Sequence, residues 1–247
     1  MAIKTTLNYS LNFNHKKRNI KQIKFIIFHY TGMKKESAAI NRLVNIQSEV
    51  SCHYLIKNNG EIVTMVPDLY IAWHSGKSSW KNYLSLNRNS IGIEITNPGH
   101  EFNYKNFSKK QIDSLLRLSK FLIKKYNISP KNILGHSDIS PERKKDPGEK
   151  FPWEYLSKNK VGLWYKLNYQ ILKKNRLIET SKAEKIFFLS NLSKIGYSGK
   201  IPKTLDEEKY LIFIVKAFQR RFRQNLIDGK IDQECLLISQ NLIKKFY

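Results

Sequence analysis

The chain has 247 residues, enough for one large domain or for an ordinary domain with a small partner. At 41% hydrophobic and 12% aromatic it can bury a core, which excludes general disorder, and no apolar run approaches the roughly 20 residues that span a bilayer. The net charge of +24 favours polyanionic surroundings, but the basic residues are spread along the chain without a recognisable nucleic-acid motif, so nucleic acid is not the expected partner.

The start, "MAIKTTLNYSLNFNHKKRNIKQIK", lacks a basic head followed by a continuous apolar stretch and a small-residue cleavage site. Cytoplasmic residence is therefore the expectation. Cys52 and Cys235 lie far apart in different elements, which argues against a disulfide framework.

The first apolar run, Ile23 to Phe28, is short, β-branched and aromatic, and predicts a buried strand with His29 at its C-terminal end. Residues 37–47 carry helical apolar spacing. The stretch "CHYLIKNNGEIVTMVP" predicts a β-hairpin, with Asn59-Gly60 supplying positive-φ residues to its turn. Residues 90–96 predict another strand. Alternation sets Ile91, Ile93 and Ile95 on one face and Gly92 with Glu94 on the other, leaving space in front of the acid.

Ser108 to Tyr126 predicts a helix opened by a Ser108–Gln111 capping box, with Ile112, Leu115, Leu116, Ser119, Leu122 and Ile123 as its apolar stripe. A short strand, "NILGH", delivers His136 at its end. Strands interleaved with helices, plus a hairpin, predict an α/β fold: a mixed central β-sheet flanked by helices.

Composition then divides the chain into residues 1–160, a Lys- and Asn-rich connecting segment over 161–180, and a helical unit over 181–247. The last holds three predicted helices. In the middle one Leu211, Val215, Phe218 and Phe222 share a face, so a small three-helix domain is expected.

His29 and His136 each end an apolar strand, where side chains of neighbouring strands converge, and Asp146 lies on the loop leaving His136. Two imidazoles and one carboxylate leave a fourth tetrahedral position for water, the pattern of a catalytic zinc site. Glu94, facing a polar cavity from mid-strand, is the candidate proton acceptor. Lys144, two residues before Asp146, is the candidate partner for an oxyanion.

The motifs "FHYTG", "SCHYLI", "AWHSG", "NRNSIGIEITN" and "GHSDISPERKKDPGEKFPW" occur in the order found in zinc-dependent N-acetylmuramoyl-L-alanine amidases of the type 2 (AmpD/AmiD) family. The chain resembles that family from about residue 20 to 160. The resemblance implies one Zn2+ held by His29, His136 and Asp146, with Glu94 and Lys144 as catalytic acid and lysine. It places Tyr54 near the metal and Trp73, His74 and Asn87 along the substrate groove.

The implied reaction is hydrolysis of the amide between the lactyl group of N-acetylmuramic acid, or its 1,6-anhydro form, and L-alanine of the stem peptide. Peptidoglycan or muropeptide would be the partner. A muropeptide-binding protein without activity is the alternative, although such binders usually lose a ligand and this sequence keeps all three with Glu94. His53 alternates away from Tyr54, so both cannot face the metal; His15 and His100 sit in polar loops and are expected to do nothing catalytic. "AFQRRF" followed by "DGKID", within residues 217–232, is similar to three-helix peptidoglycan-binding modules.

Overall fold

The computed structural model describes residues 3–197 and 205–247. In chain order the main elements are β1 (Thr6–Leu7), β2 (Phe25–Tyr30), α1 (Glu36–Val44), β3 (Tyr54–Ile56), β4 (Ile62–Thr64), β5 (Ser90–Ile95), α2 (Lys109–Tyr126), β6 (Ile133–Gly135) and α3 (His136–Ile139). Then follow α4 (Trp153–Lys158), α5 (Tyr169–Asn175), α6 (Lys182–Ile195), α7 (Glu207–Phe222) and α8 (Gln233–Phe246).

The six strands form one mixed sheet in the order β1-β4-β3-β5-β2-β6. Only the β3–β4 hairpin pair is antiparallel. Its connection differs from the expected tight turn. Five residues, 57–61, join the strands, and of the Asn59-Gly60 pair only Gly60 takes positive φ (84°). Asn59 instead accepts a hydrogen bond from the Glu61 amide through its side chain, so the asparagine shapes the loop without entering the left-handed region.

Strand alternation gives the sheet two faces of different use. Ile26, Phe28, Ile91, Ile93, Ile95, Tyr54 and Ile56 pack with the α2 residues Ile112, Leu115, Leu116 and Leu122. The α2 N-terminus is fixed as the sequence predicts. Ser108 Oγ accepts from Gln111 N while Gln111 Oε1 accepts from Ser108 N, which satisfies two amides the helix cannot.

On the other face Phe25, Ile27 and Leu134 join Phe188, Leu192, Ile214, Phe218 and Phe222 of the C-terminal helices in a single core. The three C-terminal helices are present, but residues 161–180 are more than a tether. They contain α5, bury Leu172, and pack Trp164 and Tyr165 against that core. Among the described residues no helix is long and apolar enough to cross a membrane.

Candidate metal centre and active-site cleft

The C-terminal helices cover only the lower part of their face. Where the parallel strands end, the same face opens into a cleft of about 610 Å³. Parallel strands of one sheet end at the same side, and that alignment assembles the site. On β2 and β5, His29 lies opposite Glu94; on the other flank of β2, Gly135 of β6 lies opposite Phe28, so His136 is delivered beside His29. The loop after α3 then folds back, with Ser137 N donating to Asp146 O at 2.8 Å.

His29 Nδ1 lies 2.9 Å from His136 Nδ1, and Asp146 Oδ2 lies 3.0 and 3.1 Å from those two nitrogens. All three side chains are buried, and together they could hold a metal ion. Their electrostatics fit a cation between them. Burial, followed by the neighbouring His136, lowers the His29 pKa to about 4, so the imidazole is neutral and its lone pair free at neutral pH. Burial alone would raise the Asp146 carboxyl, but the charge and hydrogen bonds of His136 and His29 hold it well below the usual carboxylate range.

Glu94 faces the same point, as strand alternation predicts. Its Oε2 is buried with no hydrogen-bond partner among the described residues. Burial, then the negative Asp146, pushes its pKa up to about 8, while Lys144 opposes the rise. Lys144 lines the cleft, and its Nζ has no hydrogen-bond or ion-pair partner among the described residues. Its neighbour Arg143 is committed to structure: Nη2 donates to Ser75 O and Lys77 O, at 2.6 Å each.

Of the residues expected near the metal or along the groove, Trp73 and His74 border the cleft, whereas Tyr54 and Asn87 sit elsewhere. Tyr54 is on the α2 face of the sheet, because its register partner on β5 is Ile93. Its hydroxyl donates to Asp68 Oδ1 at 2.6 Å, in a partly exposed cluster with Lys125 and Tyr126, so it does not reach His29, His136 or Asp146. The residue of that segment on the metal side is His53, whose Nδ1 accepts from Gly92 N.

His74 borders the cleft, and its ring is committed behind His29, with Nδ1 3.0 Å from His29 Nε2 and Nε2 3.1 Å from Ser90 Oγ. Gly92 leaves the room for it: a Cβ there would lie 2.4 Å from the His74 ring. Asn87 braces the chain behind the cleft, its Oδ1 accepting from His74 N, Ser75 N and Ser75 Oγ. Trp73 does line the cleft, and its Nε1 donates to Asn14 Oδ1 at 2.8 Å.

His100, from a polar loop, also lines the cleft. It stands between the Tyr30 hydroxyl at 2.8 Å and Glu149 Oε2 at 3.0 Å. Sequence reasoning also passes over Arg18. It is 6% exposed and donates to the carbonyls of Asp68, Asn87 and Ser90, tying the N-terminal segment to the back of the site. No local signal separates it from its basic neighbours in "HKKRN".

Residues 19–149 match the family model described as N-acetylmuramoyl-L-alanine amidase. The chain is 33% identical over 240 residues to the N-acetylmuramoyl-L-alanine amidase AmiD of Escherichia coli (strain K12), covering 91% of this chain and 84% of that protein. To the 1,6-anhydro-N-acetylmuramyl-L-alanine amidase AmpD of Haemophilus influenzae it is 42% identical over 113 residues, 45% of this chain and 59% of that one. The fold superposes with a TM-score of 0.79 on E. coli AmiD in complex with the substrate anhydro-N-acetylmuramic acid-L-Ala-D-gamma-Glu-L-Lys, at 33% identity, covering 91% of this chain and 90% of that one. A cleft with two histidines, an aspartate and a facing glutamate at the strand ends therefore sits in a chain that belongs to the N-acetylmuramoyl-L-alanine amidase family and is an enzyme of that activity.

Proposed function

We propose that the enzyme hydrolyses the lactyl–L-alanine amide of muropeptides with one zinc ion held by His29, His136 and Asp146, Glu94 as general base and then acid, and Lys144 as oxyanion partner. The observation that carries this reading is the convergence of the three donors. Tetrahedral zinc with bonds near 2.0–2.1 Å sets donor atoms roughly 3.3 Å apart. The separations of 2.9, 3.0 and 3.1 Å fit that figure within a few tenths of an ångström. The donor set, two imidazoles and one carboxylate, leaves a coordination position for water. When bound, zinc supplies Lewis acidity that acidifies water and polarises the scissile carbonyl.

The protein's own groups carry the protons. Glu94 Oε2, without a hydrogen-bond partner among the described residues and opposite His29, accepts a proton from the attacking water and returns it to the leaving L-alanine nitrogen. One carboxyl group performs both transfers by passing between its charged and neutral forms. Lys144, with its ammonium uncommitted, neutralises the charge that develops on the carbonyl oxygen. The AmiD complex with an anhydro-muropeptide supports a muropeptide substrate in the cleft. The test is mass spectrometry of normal and 1,6-anhydro muropeptides incubated with the enzyme. Release of the intact stem peptide, abolished by a chelator and restored by zinc, is expected; cleavage indifferent to chelation would overturn the zinc assignment.

A further inference from the structure

Beside the strand end that carries His136 lies a buried polar cluster that the reaction does not consume and that draws on both halves of the chain. Asp138, two residues after His136, is 1% exposed. Its Oδ2 accepts from Gly135 N at 2.8 Å and from Arg221 Nη1 at 2.7 Å, and its Oδ1 accepts from the Tyr197 hydroxyl at 2.7 Å. Arg221, 3% exposed, also donates from Nη2 to Ile133 O at 2.9 Å, and its guanidinium lies 4.5 Å from the Trp153 ring. Arg221 belongs to the last turn of α7, and Tyr197 follows α6.

Burying an arginine and an aspartate is costly unless both are paired and hydrogen-bonded, and replacing such a pair by apolar residues is often neutral or stabilising. Stability alone is thus a weak account of the cluster, whereas its placement is specific. The two Arg221 bonds reach Ile133 and Asp138, on either side of the β6–α3 junction, and His136 lies between them. Asp138 in turn holds the amide of Gly135, the residue before the ligand. The junction is also coupled to the other ligand. Ser137 N donates to Asp146 O, and Gly135 packs so closely on Pro147 that a Cβ would lie 2.6 Å from its Cδ.

From this geometry we infer that Arg221 and Tyr197 are positioning residues for the metal ligands His136 and Asp146, so that the C-terminal helices complete the amidase centre. The inference rests on the metal-site reading given above. The polar residues of the "AFQRRF" and "DGKID" stretches agree with an inward role. Gln219 bonds Asp228, Gly229 and Lys230, and Arg223 pairs with Asp228 and Asp232. Gln219, Arg221 and Arg223 are all buried.

The test uses full-length metal-free protein titrated with zinc against a chromogenic chelator, alongside thermal unfolding and steady-state kinetics. Arg221→Met keeps the apolar stem and removes both bonds; Tyr197→Phe removes a single hydroxyl and guards against a variant that fails to fold. Arg221→Met is expected to weaken zinc binding by up to about 10-fold, the low end of what losing a direct hydrogen-bond partner of a metal ligand costs, because Arg221 acts through Asp138 and Ile133. Tyr197→Phe should weaken it less, and kcat should fall more than KM rises in both. Wild-type zinc affinity in both folded variants, with only the melting temperature lowered, would overturn the inference and leave a packing role. Wild-type protein that bound no zinc would overturn the metal-site reading itself, and this inference with it.

Discussion

His29 Nε2 lies 3.0 Å from His74 Nδ1, so a residue expected along the substrate groove also braces, from behind, one of the three side chains that could hold a metal ion. If His29 offers its Nδ1 lone pair to a cation, its Nε2 carries the proton and donates it to His74 Nδ1. His74 Nε2–H then donates to Ser90 Oγ, whose hydroxyl donates to Leu86 O at 2.6 Å. Each donor in this chain meets one acceptor, so the tautomer of the ligand is fixed from behind. His74→Ala is expected to weaken zinc binding about 10–100-fold while leaving KM nearly unchanged, measured by chelator competition and steady-state kinetics. A raised KM with wild-type zinc affinity would return His74 to the groove.

Glu94→Gln keeps the shape of the side chain and removes the proton acceptor. Turnover should fall by about 10²–10⁴ with zinc affinity retained, because the glutamate is not among the donors. Substantial activity in a zinc-loaded Glu94→Gln enzyme would show that another group takes the proton.

Lys144→Met should lower kcat by about 10²-fold, or about 2.7 kcal/mol, with a small change in KM, since the ammonium acts on charge that exists only in the transition state. Arg143, whose bonds are spent on Ser75 and Lys77, makes the contrast. Arg143→Lys should disturb stability more than the ratio of kcat to KM.

Metal-free protein should lose stability on mild acidification. Burial lowers His29 to about 4, burial and then Arg18 lower His53 to about 3, and burial followed by His29 sets His74 well below its ordinary value. An unfolded imidazole titrates near 6.5, so below that pH the unfolded chain binds protons that the folded one refuses. The stability these groups contribute is present above about pH 6.5 and is lost as pH falls from there through about 4. The slope is at most about 1.4 kcal/mol per pH unit for each histidine. Asp146, held low in the fold, adds to the loss only below the ordinary carboxylate range. Urea unfolding of chelator-treated protein between pH 7.5 and 4.5 reads the slope, and a flat profile would contradict the neutral, buried state of these rings.

Tyr54→Phe separates the two faces of the sheet. Losing the bond to the Asp68 carboxylate should cost about 1–3 kcal/mol of stability and leave turnover unaltered, as read from denaturation midpoints and kinetics. A large fall in kcat without destabilisation would place the hydroxyl back at the metal.

Much of this protein follows from local pattern. The apolar run ending in His29, the alternation that aims Glu94 away from three isoleucines, and the Ser108–Gln111 cap are short-range features. They are decided by strand period and by the unsatisfied amides of a helix end. The grouping of His29, His136 and Asp146 was legible because strand ends and a returning loop leave few other places for two histidines and an aspartate to meet. What the sequence could not decide was which parity of a short strand faces the cleft. His53 and Tyr54 alternate in either register, and only pairing of that segment with Gly92 and Ile93 turned the histidine inward. Nor could it assign His74, Asn87, Arg18 or Arg221. Their partners lie 12 to 88 positions away, and a buried polar side chain takes its role from whatever group the folded chain leaves unpaired beside it.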